Sequence, residues 1–171
     1  MNTVGKIIPP QCLVTEREKL RKYEFKVIVT NGCFDILHSG HVDYLEKAAS
    51  MLDDYRGHSM AFLLVGLNSD DSVRKLKGPT RPINNQNDRA RVLAALECVD
   101  GVCIFSNVRA TEFLKVAQPD YYVKGGDYTL ETLDKDERAA LEFMGTKITF
   151  FPTTTGKSTS ETLAKIQLTM P

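Results

Sequence analysis

Two of the chain's three histidines, His38 and His41, stand three residues apart in TNGCFDILHSGH, residues 30–41. An imidazole donates to a phosphate oxygen whether it is neutral or charged, so a pair of them suits the negative charge that spreads during phosphoryl or nucleotidyl transfer. The stretch follows KVIVTN (26–31), a β-branched run that predicts a buried strand. It precedes Val42, Leu45, Ala48, Ala49 and Leu52, apolar residues at helical spacing. A helix over 39–54 with Ser39 as N-cap places His41 in its first turn and His38 just before it. The free N–H groups and partial positive charge at that helix end make an anion site. Gly40 leaves room for a ligand there, and Gly32 lets the strand end turn close to it. Two other uses fit the same residues: a helix-start histidine on the surface, and a metal site for which Asp35 is the one obvious third ligand.

The elements that position this stretch follow from periodicity. MAFLLVGL (60–67) is a continuous apolar run, as a central parallel strand requires. Helices are predicted over 70–76, 86–98 and 109–117, within 129–144, and over 159–168. Further strands are predicted at 101–105, 120–125 and 147–152. Pro9 and Pro10 predict an irregular arm over 1–13, and Thr15 with Glu18 matches a capping box for a short helix over 15–23. The predicted organisation is thus an arm and short helix (1–23) followed by one domain (24–171). Strands alternating with helices imply right-handed parallel crossovers, hence a doubly wound, Rossmann-like α/β fold with five parallel strands and helices on both faces. Ligands of such sheets bind beyond the carboxyl ends of the strands. Those ends carry NGCFD (31–35), NSDD (68–71), FSN (105–107), KGGDY (124–128) and TTTGKSTS (153–160).

Several of these ends admit two readings. KLKGPTR (75–81) is either a solvated basic loop or a phosphate holder. In KGGDY the glycines permit close approach of a base or ribose, with Asp127 accepting from a hydroxyl, and a plain tight turn fits as well. TTTGKSTS is no P-loop, because Phe151 stands where that pattern needs glycine. The 171 residues carry 22 Lys plus Arg against 22 Asp plus Glu, a balance that gives no support to a general nucleic-acid or membrane binder. Cys12, Cys33, Cys98 and Cys103 form no C-x-x-C pair and read as reduced thiols. With no secretory core in MNTVGKIIPPQ and no apolar run of spanning length, the expectation is a cytoplasmic protein. The apolar region 101–123 is either core or a homodimer contact.

TNGCFDILHSGHVDYLEKA, NSDDSVRKLKGPTRPIN, DRARVLAALECVD, YYVKGGDY and GKSTS occur in this order. Together they resemble the H-x-G-H nucleotidyltransferase α/β superfamily. Within it they are most similar to the adenylyltransferase domain of the bacterial heptose phosphate enzymes that make ADP-heptose for lipopolysaccharide. The resemblance spans roughly 24–168. It implies that His38 and His41 hold the ATP phosphates and the reacting α-phosphate, with Lys77 joining them in the transition state. It places the phosphate loop on Gly32, Cys33, Phe34 and Asp35, beside Gly40, and the basic loop on Lys75, Lys77 and Arg81. Asn68, Lys124, Gly125, Gly126 and Asp127 complete the implied nucleotide site, and Ser158, Thr159 and Ser160 a second anion site. It also implies Mg²⁺ carried mainly on the ATP phosphates, a sugar 1-phosphate acceptor, and no protein-bound metal. DYRGHS (54–59) is longer than the family's usual link. Characterised bifunctional members carry a sugar kinase in the same chain, so a separate heptose kinase is the expectation here. The motif equally suits a cytidylyltransferase acting on glycerol 3-phosphate or a similar small phosphate. A nucleotide-binding module without turnover is the non-enzymatic reading.

Overall fold

The computed structural model describes residues 3–52 and 60–152. Five strands form one sheet: β1 (Lys26–Gly32), β2 (Ala61–Asn68), β3 (Gly101–Phe105), β4 (Tyr121–Gly125) and β5 (Lys147–Phe151), in the order β3-β2-β1-β4-β5. All four pairings are parallel. The chain winds outward from β1 to β3, then crosses back to place β4 on the other side of β1. The strand order therefore reverses between β1 and β4, the point at which a doubly wound sheet opens a crevice.

The side-chain period of two along β1 sends Val27 and Val29 to one face and Ile28 to the other, and all three are fully buried. On the first face they meet Leu13 and Leu20 of α1 (Leu13–Lys22), Phe113 and Leu114 of α5 (Thr111–Ala117), and Leu141 of α6 (Lys135–Phe143). On the second, Ile28 packs with Leu45 and Ala48 of α2 (Ser39–Ser50) and Leu93 of α4 (Gln86–Ala95). Helices cover both faces, and most apolar residues of 101–123, among them Val102, Leu114 and Tyr122, are core, while Val116 is exposed.

Several element boundaries differ from expectation. The arm is not irregular: Thr3–Lys6 and Pro10–Cys12 are 3-10 turns. Pro10 opens the second, where a missing N–H costs nothing. Ile8 donates its N–H to the Val102 carbonyl at 2.8 Å, and Lys6 Nζ reaches the Leu96 and Val99 carbonyls. These bonds hold the arm on the sheet edge and the end of α4. Helix α1 starts at Leu13, so Thr15 and Glu18 lie inside it rather than forming a cap. Helix α2 is preceded by His38, in extended conformation, and not by Ser39; no side chain caps it. Helix α4 ends at Ala95, where Leu96 turns to extended geometry. Of 129–144 only Lys135–Phe143 is helical, with the Asp134 carboxylate accepting from the Asp136 and Glu137 N–H groups. The expected last helix (159–168) and the 54–59 link lie outside the described residues.

Candidate active site

The ends of β1 and β4 open into a cavity of about 600 Å³. Its first wall descends from β1 into α2. Phe34 adopts a left-handed backbone, φ 43°, a conformation that costs a non-glycine residue about 1–2 kcal/mol and recurs at ligand sites. That turn lays the Phe34 ring against His41, centroids 5.2 Å apart. A Cβ on Gly32 would lie 3.1 Å from the same ring, so glycine there seats Phe34 as well as freeing the backbone.

The His38 and His41 rings stack at the start of α2, with centroids 3.8 Å apart and planes 29° from parallel. His41 Nδ1 is buried without a hydrogen-bond partner, a costly state for a polar atom and one that a bound ligand relieves. Burial, and secondarily His38, pull the His41 pKa down to about 4. With no anion present, His41 is therefore a neutral imidazole at neutral pH.

Lys77, the last residue of α3 (Asp70–Lys77), and Arg81 line the same cavity as the histidines. Arg81 is committed: its Nε donates to Asp35 at 2.5 Å. The Asp35 carboxylate also accepts from the backbone N–H groups of Ile83 (2.7 Å) and Asn84 (3.1 Å). Asp35 is thus the fastening between the turn after β1 and the segment after α3, with its oxygens used inside the protein. With its side chain only 1% exposed as well, it is poorly placed as a ligand of nucleotide or metal. Among the described residues no group of three or more His, Cys, Asp and Glu is placed to hold a metal.

On the floor, Lys124 Nζ donates to Asn31 Oδ1 (3.0 Å) and contacts the Tyr122 hydroxyl (3.2 Å), which itself donates to Asn31 Oδ1 (2.6 Å). Burial lowers the Lys124 pKa, with Arg109 adding to the effect and Glu137 opposing it. Burial likewise raises the Cys33 thiol, which disfavours a thiolate nucleophile. Gly125 lies under Tyr44, whose ring a Cβ would meet at 3.0 Å, and Gly126 has φ 122°, where side chains are strained.

The structure gathers Gly32, Cys33, Phe34, Asp35, His38, Gly40, His41, Asn68, Lys77, Arg81, Lys124, Gly125 and Gly126 around one cavity. Lys75 and Asp127 are exposed and outside its lining. Ser158, Thr159 and Ser160 lie outside the described residues. Sequence reasoning missed Arg89, buried in α4, which donates to the Cys33 carbonyl (2.5 Å), the Asn84 carbonyl (2.9 Å) and Asp70 (2.7 Å). Its signal was its place four residues before Leu93, on the apolar stripe of the helix. It also missed Tyr44, one turn beyond His41 in α2, and Arg109, Asp134 and Glu137, which line the cavity from distant parts of the chain.

A parallel sheet with an anion-seeking helix tip at its switch point is the frame of a nucleotide-binding α/β domain. The chain belongs to the cytidylyltransferase-like family, whose profile matches residues 29–164. It is similar to the bifunctional protein HldE of Wolinella succinogenes, 47% identical over 83% of this chain and 27% of that protein. The HldE of Aliarcobacter butzleri is 45% identical over 87% of this chain and 28% of the relative, and that of Hyphomonas neptunium 42% over 93% and 31%. The chain thus spans less than a third of the length of these relatives. Its fold is also that of the lipopolysaccharide core biosynthesis protein from Thermoplasma volcanium, with a TM-score of 0.57 and 23% identity over 75% of this chain and 96% of the other.

Proposed function

We propose that this chain transfers AMP from Mg·ATP to heptose 1-phosphate, giving ADP-heptose and pyrophosphate. The observation that carries the reading is the stacked histidine pair at the tip of α2, with His41 half-buried and neutral and its Nδ1 buried without a partner. A triphosphate supplies the missing acceptor, and its charge favours the protonated imidazole. The similarity to HldE proteins and the resemblance to heptose phosphate adenylyltransferases support the choice of acceptor.

The sugar phosphate is largely dianionic near neutral pH, its second pKa being about 6, so the reaction needs no general base. One of its oxygens attacks the α-phosphorus in line, a new P–O bond forms, and the bond from α-phosphorus to the bridging oxygen breaks. Pyrophosphate leaves with the electron pair. Mg²⁺ enters with ATP as part of the substrate and offsets charge on the triphosphate oxygens. His38, His41, the N–H groups that open α2, and Lys77 stabilise the charge that develops, each well-placed donor contributing about 3 kcal/mol. Ser158, Thr159 and Ser160 belong to the same proposal as a second phosphate contact. A kinase acting on the sugar supplies the acceptor, and the reaction runs in the cytoplasm, where ATP is available.

The family description favours a second reading, transfer of CMP from CTP to a small phosphate such as glycerol 3-phosphate. Mass spectrometry of products from ATP or CTP, each with a panel of sugar 1-phosphates and glycerol 3-phosphate, separates the two. ADP-heptose as the dominant product supports the first; CDP-glycerol supports the second. Nucleotide binding with no product from any acceptor leaves a binding module.

A further inference from the structure

One part of the cavity wall has a chemistry that a triphosphate does not explain. Arg109, Asp134 and Glu137 line the cavity there, near Lys124. They come from the segment after β3 and from the start of α6. Glu137 is 5% exposed, and its Oε1 accepts the Ala110 N–H at 2.7 Å. Asp134 caps α6 through Oδ1 and pairs with Arg109 Nε through Oδ2 at 3.2 Å. Two carboxylates facing a polyphosphate raise its energy. Carboxylates do accept hydrogen bonds from hydroxyls, and that is how proteins hold polyols. The same wall offers cations for one phosphate. Arg109 has five N–H donors, and its ion pair uses Nε. Lys124 is fixed on the floor by Asn31 and Tyr122.

Resting on the reaction proposed above, we propose that this wall is the acceptor subsite: Arg109 and Lys124 receive the phosphate of the sugar phosphate, and Asp134 and Glu137 read its hydroxyls. A ligand with one phosphate and several hydroxyls matches two cations beside two carboxylates, whereas an alkyl or aromatic phosphate leaves the carboxylates without donors. Lys124 lines the same cavity as the histidines, so the acceptor phosphate and the α-phosphate share one space.

Steady-state kinetics with Mg·ATP and heptose 1-phosphate on the full chain tests this. Arg109→Ala changes a side chain 63% exposed, so the fold is retained. Glu137→Gln and Asp134→Asn keep the acceptor oxygens that serve Ala110 and the start of α6 while removing charge. Each variant raises the KM for the sugar phosphate by about tenfold or more, the loss expected for one charged hydrogen bond, with the KM for ATP within about twofold. Against glycerol 3-phosphate, which lacks the ring hydroxyls, the two carboxylate variants differ little from the parent chain. Unchanged sugar KM in all three overturns the proposal, as does an equal rise in both KM values, which assigns the wall to nucleotide. A parent chain that makes no nucleotide sugar from any sugar 1-phosphate overturns the reaction itself, and this subsite with it.

Discussion

The His38 and His41 rings lie face to face at 3.8 Å between centroids, a separation at which both cannot carry a proton without an anion between or beside them. His41 has a pKa of about 4 in the free protein, against 6.5 unperturbed, through burial first and His38 second. The unfolded chain takes up this proton near 6.5 and the folded chain only near 4. The stability associated with neutral His41 is complete above 6.5 and is lost as pH falls toward 4, on the order of 3 kcal/mol in all. Unfolding of the free protein followed across that window should steepen with falling pH, and His41→Asn should flatten the slope. An identical pH profile in the variant counts against the assignment.

Binding of ATP should reverse the penalty. Phosphate charge favours the imidazolium, so complex formation between pH 4 and 6.5 takes up a proton. Calorimetric titrations in two buffers of different ionisation enthalpy measure that uptake directly. Equal apparent enthalpies in the two buffers would show that no proton moves.

Asp35 should behave as a structural anchor. Asp35→Ala strands Arg81, only 16% exposed in its side chain, and the N–H groups of Ile83 and Asn84. Breaking such a buried pair costs about 3–5 kcal/mol, visible as a lower urea midpoint. Full stability with lost ATP affinity would instead make Asp35 a ligand-contacting group.

How far the sequence discloses this architecture depends on the range of the interaction. Apolar runs such as FLLVGL (62–67) reveal central strands because burial on both faces leaves a local mark. The histidine pair is legible because strand, glycine and helix start are contiguous. The ties from Asp35 to Arg81 and from Arg89 to Cys33 join segments 46 and 56 residues apart, and no local spacing encodes them. Arg89 is buried because the fold gives its donors two carbonyls and a carboxylate, none of them on its own helix. Arg109 is brought together with Asp134 and Glu137 only through the packing of α5 and its start against α6, which no local spacing encodes.

Gly66 gives a stability prediction independent of the site. A Cβ there would sit 2.8 Å from Phe113 Cζ, in a core where Phe113 already stacks on Phe105. Gly66→Ala should destabilise by about 1–3 kcal/mol through overpacking while leaving the KM values unchanged. A neutral effect on the denaturation midpoint would show that the Phe113 ring moves aside freely.

The most direct test of the central claim is the rate of pyrophosphate release from Mg·ATP and heptose 1-phosphate, compared between the parent chain and a folded His41→Ala variant. The histidine pair as the grip on the reacting phosphate predicts ADP-heptose and pyrophosphate in equal amounts from the parent, and turnover lower by about 100-fold or more in the variant. Equal turnover in the two proteins would contradict it.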